Sequence, residues 1–76
     1  MIDFLLSVGF RMYKHCNCEG GKRWFKKQTM PGVEIVLRKR GESYEIKRSN
    51  KVINRGYQHQ LETEYNKLFN ETNQLA

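Results

Sequence analysis

Val33-Glu34-Ile35-Val36-Leu37-Arg38-Lys39-Arg40-Gly41-Glu42-Ser43-Tyr44-Glu45-Ile46-Lys47-Arg48 decides the fold, because it alternates in character with period two on both sides of a glycine. Val33, Ile35 and Leu37 share one face of a strand running Val33 to Arg40, and Glu34, Val36 and Arg38 share the other. That is the pattern of an antiparallel strand with one buried side. Gly41-Glu42 reads as a two-residue turn of the II′ kind, with glycine at the first central position. The next strand, Ser43 to Arg48, turns Tyr44 and Ile46 inward. This register sets Leu37 opposite Ile46, Arg38 opposite Glu45 and Arg40 opposite Ser43. Arg38 is thereby assigned to a cross-strand ion pair.

Upstream, Pro31-Gly32 is a turn dipeptide that ends a strand from Lys22 to Met30. That strand contains Gly20-Gly21-Lys22-Arg23-Trp24-Phe25-Lys26-Lys27, a turn signal followed by four cations and two large aromatics. Strand parity sends one of Trp24 and Phe25 to the core and the other outward. With Trp24 inside, Arg23 and Lys27 become the outward cations and Lys26 snorkels. Before it, Phe10 to Cys16 alternates as a first strand, with Phe10, Met12 and Cys16 on one face and Arg11, Tyr13 and His15 on the other. Asn17 to Gly21 is its turn.

The ends of the chain read as helical. Met1 to Val8 is apolar nearly all round, with Asp3 as its N-cap and Gly9 as its left-handed C-terminal cap, so it belongs against a sheet. A reading of Phe4 to Val8 as an edge strand stays open. Gln58 to Gln74 places Leu61, Tyr65, Leu68, Phe69 and Thr72 on one helical face, with Glu62, Glu64 and Glu71 along the flanks. Between the sheet and this helix, Ser49-Asn50 is a turn signal, Lys51 to Arg55 reads as a further short strand, and Gly56 breaks the pattern. The fold class expected is α+β: one domain over residues 1–76, a three- to four-stranded antiparallel sheet, a short N-terminal helix and a longer C-terminal helix.

With 76 residues, 38% of them hydrophobic, the chain builds one thin core. Its net charge of +6 is unevenly distributed: residues 1–57 carry 13 Lys and Arg against 5 Asp and Glu, and residues 58–76 carry 1 against 3. A basic body with an acidic terminal segment favours encounter with a polyanion. Met1 to Phe10 has neither a basic start nor a cleavage motif, and its apolar run is far too short to span a bilayer, so a cytoplasmic setting without membrane contact is expected. Asn70-Glu71-Thr72 matches a glycosylation acceptor in form alone.

Cys16 and Cys18 are expected as thiols, because a bridge between residues i and i+2 demands unusual backbone geometry. His15 points away from both cysteines in a regular strand, and a closed zinc site needs a second ligand pair, so no metal is expected. His59 is expected in solvent at the start of the last helix. The order of elements, with Leu5-Leu6-Ser7-Val8-Gly9-Phe10 running into the first strand, resembles the HicA-type toxins over roughly the first 40 residues. The resemblance implies a fold like double-stranded-RNA-binding domains, RNA cleavage and a toxin-antitoxin setting. The family's catalytic histidine follows the glycine that opens the second strand, where this chain has Gly21-Lys22-Arg23.

The residues point to a nucleic-acid-binding domain without catalysis or cofactor. Lys22, Arg23, Lys26, Lys27 and Arg40 are expected to meet phosphates of RNA or DNA, with Trp24 available for stacking. Three other expectations are kept: a protein-binding module or inhibitor that docks an acidic partner, a small HicA-like ribonuclease, and a homodimer.

Overall fold

A computed structural model describes residues 2–69. Five strands, β1 (Arg11–Cys16), β2 (Lys22–Lys26), β3 (Val33–Arg38), β4 (Ser43–Arg48) and β5 (Lys51–Tyr57), form one antiparallel sheet in chain order. Two helices, α1 (Ile2–Ser7) and α2 (Leu61–Phe69), cover one of its faces. The class is α+β as the pattern implied, with five strands rather than three or four. The fifth strand runs straight through Gly56. That glycine does not break the ladder; its missing Cβ leaves room for the Tyr44 ring edge, which would lie 3.2 Å from a side chain there.

The alternation of β3 and β4 holds. Ile35 pairs with Ile46 and Phe25 of β2 pairs with Ile35, so Phe25, Ile35 and Ile46 form an inward row. Around them Leu5, Phe10, Leu37, Tyr44 and Leu61 are all at most 4% exposed. Tyr65 of α2 sets its ring edge-on to Phe4 and Phe10, at centroid distances of 5.6 and 5.9 Å, which ties both helices to the start of β1. Deep on this face the Tyr44 hydroxyl donates to Asn54 Oδ1, and Asn54 Nδ2 donates to Glu64 Oε1 at 3.2 Å.

Register and boundaries differ from the expectation in four places. Leu37 faces Tyr44 and Arg38 faces Ser43, a slip of two residues that leaves every side chain on its own face. The connection is therefore the four-residue loop Lys39–Glu42, and Arg40 lies in that loop instead of opposite Ser43. Gln58 Nε2 secures the loop's base, donating to the Arg38 and Ser43 carbonyls at 3.0 and 3.1 Å. Second, β2 stops at Lys26: the chain turns at once, with Met30 N–H bonded to Lys27 O at 3.1 Å, and Met30 folds onto the core. Third, β1 has a bulge between Met12 and Lys14. One extra residue reverses the parity beyond it, so Met12 and Cys16 fall on opposite faces, and His15 joins the helix-covered side. Last, Asp3 sits in the first turn of α1 instead of capping it, where its carboxylate still faces the positive end of the helix.

Gly9, at φ +103, does cap α1. Ser49 and Asn50, at φ +54 and +68, form the two-residue turn between β4 and β5 with the mirror-image backbone that matches strand twist. The expected continuation of α2 to Gln74, including Asn70, Glu71 and Thr72, lies outside the described residues. No described helix is long and apolar enough to cross a membrane.

Candidate nucleic-acid interface

Neither helix covers the second face of the sheet, and the register assigns its residues row by row. The central row runs Lys14, Trp24, Val36, Glu45, Arg55 from β1 to β5. One neighbouring row runs Cys16, Lys22, Arg38, Ser43, Tyr57. The other brings Arg11, Lys26, Glu34, Lys47 and Val52 together, with Tyr13 from the β1 bulge beside them. Seven basic side chains, Arg11, Lys14, Lys22, Lys26, Arg38, Lys47 and Arg55, thus share a face with two acidic ones, Glu34 and Glu45. Four inter-strand spacings make this face about 19 Å wide.

Trp24, on β2, is the largest side chain of its central row. Phe25 takes the core position of the aromatic pair at 1% exposure, so parity turns Trp24 outward. The indole lies across from Val36, which is 2% exposed although it stands apart from the main core cluster. Lys14 Nζ, on the neighbouring strand β1, stands 4.7 Å and Lys22 Nζ, two residues before Trp24 on β2 itself, 5.9 Å from the Trp24 ring centre, a cation-π arrangement. Lys26 Nζ sits 4.3 Å from the Tyr13 ring.

Both acids are engaged. Tyr13 donates its hydroxyl to Glu34 Oε1 at 2.6 Å, and desolvation together with this carboxylate pushes the phenol's pKa up to about 12. Glu45 meets Arg38 at 3.8 Å, diagonally rather than directly across. The pairing of Arg38 with Glu45 therefore holds despite the register slip. With the carboxylates occupied, the potential over the face is set by the cations.

Of the six residues singled out from sequence, Lys22, Trp24 and Lys26 come together on this face. Arg23 lies on the opposite side, directly across from His15. Lys27 leaves the sheet and rests its ammonium 5.6 Å from the Phe10 ring, against Gly9. Arg40 projects from the β3–β4 loop and packs against Gly20, where any side chain would collide with it at 2.5 Å. Sequence reasoning missed Lys14, Tyr13, Lys47 and Arg55. The first two are masked by the bulge, and the last two by the uncertain partnering of β4 with β5.

Cys16 and Cys18 are joined by a disulfide, which corrects the expectation of two thiols. The chain leaves strand geometry at Asn17 (φ −85, ψ 0), so the two Cα atoms approach to 5.3 Å. His15 lies on one edge strand and His59 follows the other, beside Tyr57 at 6.0 Å ring separation. No family model, curated protein or solved structure matches the chain.

Proposed function

We propose that the chain binds single-stranded nucleic acid on the uncovered face of its sheet. The observation that carries this reading is Trp24, turned outward in the middle row of that face, with Lys14 of the neighbouring strand and Lys22 of its own strand beside its ring and both nearby carboxylates already bonded. An aromatic platform on an open sheet stacks bases at about 1 to 3 kcal/mol each, independently of their identity. Lys14, Lys22, Lys26, Lys47 and Arg55 stand where the backbone phosphates of such a strand would run. A flat sheet also suits a splayed single strand better than a duplex groove, which admits a helix or a two-stranded ribbon.

Bulges favour this reading over a protein partner that adds a strand. Both edges of the sheet carry one, at Tyr13 in β1 and at Ile53 in β5, and a bulge interrupts the ladder that an incoming strand would extend. The same obstacle applies to a dimer built edge to edge.

Trp24 is the chain's one tryptophan, so its own fluorescence reports on the platform. Titration with mixed-sequence RNA and DNA dodecamers is expected to quench it. The logarithm of the binding constant should fall with the logarithm of salt concentration at a slope of about −2.8 if four phosphates are neutralised. Replacing Lys14 and Lys26 by alanine should flatten that slope by about 1.4. Absence of binding to either polymer at low salt defeats the proposal.

A further inference from the structure

The corner of the uncovered face occupied by Tyr13 and Lys26 opens into a cleft of about 860 Å³, between the β2–β3 connection and the start of β1. Its size is that of a small-molecule site. Met30, Pro31 and Val33 give it apolar lining, and Arg11, Lys26 and Lys27 give it positive charge against the single carboxylate of Glu34. Two of these cations are held in place. Arg11 Nη1 donates to the Phe10 and Leu6 carbonyls at 2.8 and 3.3 Å, and the Lys27 stem lies against Gly9 with its ammonium by Phe10. Glu34 in turn is bonded by Tyr13. The cleft combines an apolar wall, an aromatic residue at its mouth and fixed positive charge, which are the contacts that a planar base and a doubly charged phosphate monoester require together.

We infer that this cleft binds a nucleoside monophosphate unit, either a free mononucleotide or the phosphorylated end of a strand. Tyr13, Lys26 and Glu34 belong both to the cleft and to the uncovered face, so a strand lying on that face reaches the cleft without crossing another element. Lys27 finds a role here that the uncovered face does not give it, and Arg11 stands at the edge where the face meets the cleft. A terminal phosphate differs from an internal one by its second negative charge and its extra acceptor oxygen, and the two clamped cations answer both. The strand-end form rests on the proposed binding of nucleic acid to the uncovered face; the mononucleotide form does not.

The test compares octanucleotides carrying a 5′-phosphate, a 3′-phosphate or neither, alongside free uridine and adenosine monophosphates, by calorimetry with the intact chain. One phosphorylated end should bind about tenfold more tightly than the unphosphorylated strand, equivalent to about 1.4 kcal/mol. Lys27→Gln should abolish that increment. Gln28→Glu, which sets a carboxylate at an exposed position of the cleft wall with little risk to folding, should abolish it too, and both variants should bind the unphosphorylated strand as wild type does. If no strand binds but a mononucleotide does, and Gln28→Glu removes it, the cleft assignment stands and the reading of the uncovered face falls. Equal affinity for all three strands together with no uptake of either mononucleotide overturns the inference.

Discussion

Trp24 and Phe25 are neighbours in the chain and lie on opposite sides of one sheet, and what surrounds each defines the two faces of this molecule. On Phe25's side the next strands contribute Ile35 and Ile46, and both helices close over them. On Trp24's side the same strands contribute Val36 and Glu45, and among the described residues no helix lies above. One backbone with period-two alternation has therefore separated two tasks. The apolar set holds the fold, and the basic and aromatic set is exposed at no cost to the core. In a domain this small, where one core rarely supplies more than about 3 to 5 kcal/mol, this separation limits how far a change on one face is felt on the other.

Phe25→Ala is the severest way to test it. Truncating a buried phenylalanine typically costs about 3 to 5 kcal/mol, comparable to the whole stability of so small a domain, so the variant should be largely unfolded by circular dichroism at 25 °C. Trp24→Ala is the matching change one residue away. It exposes Val36 and should leave a cooperative thermal transition, while weakening binding of single-stranded nucleic acid by about 1 to 3 kcal/mol per base stacked. If Trp24→Ala unfolds the chain as thoroughly as Phe25→Ala, the division between faces is wrong.

Tyr44→Phe is an intermediate case on the covered face. It removes the hydroxyl that donates to Asn54, leaving the amide oxygen short of a partner between β5 and α2, and should cost about 1 to 3 kcal/mol in urea denaturation. Binding by the uncovered face should not change in conditions where the variant is folded.

The two faces were unequally legible in the sequence. Val33 to Arg48 announced its inward residues correctly because a slip of two residues, which is what separates the expected register from the observed one, preserves parity. Gly9 and Ser49-Asn50 were equally plain, since positive φ leaves a mark in composition. Gly56 misled, because a glycine admitted for the approach of Tyr44 looks the same in sequence as one that ends a strand. The basic face was harder to read. Either aromatic of the Trp24-Phe25 pair satisfies the pattern, and only the partner strands select Phe25 for the core. A bulge carries no residue signature, so His15 and Cys16 fall on the opposite sides of β1 from those the alternation implies. Lys27 and Arg40 looked equivalent to Lys22 until the turns that remove them from the sheet were placed.

A smaller effect is expected from the disulfide. Cys16 and Cys18 enclose one residue, and the loop-entropy relation allows a bridge of that span about 1.5 kcal/mol at most. Replacing both by serine should lower the midpoint of thermal unfolding only slightly. Cys16 shares a row with Lys22, so binding of nucleic acid by the double variant also tests whether this end of the uncovered face depends on the bridge.

The gentlest probe is pH, applied to the two tyrosines that belong to opposite faces. Tyr13 is held protonated to about 12 by desolvation and by Glu34, and Tyr44 is raised in the same direction by its burial and then by Glu64. In each case the folded state favours the neutral phenol over the unfolded chain, which ionises near 10. Their contribution is therefore complete below pH 10 and is lost as pH rises through the folded-state value, so stability falls with pH in this window. Tyr13 is 46% exposed, and solvent reduces its share to a fraction of what the shift implies; Tyr44, at 1%, is not screened in this way. Urea midpoints compared between pH 9 and 11 should fall for wild type, and Tyr13→Phe and Tyr44→Phe should each remove part of the decline, Tyr13→Phe less than its shift alone implies. A loss for Tyr13→Phe as large as its whole shift implies would mean that Tyr13 is as well shielded as a core residue, and that the face it occupies is covered after all.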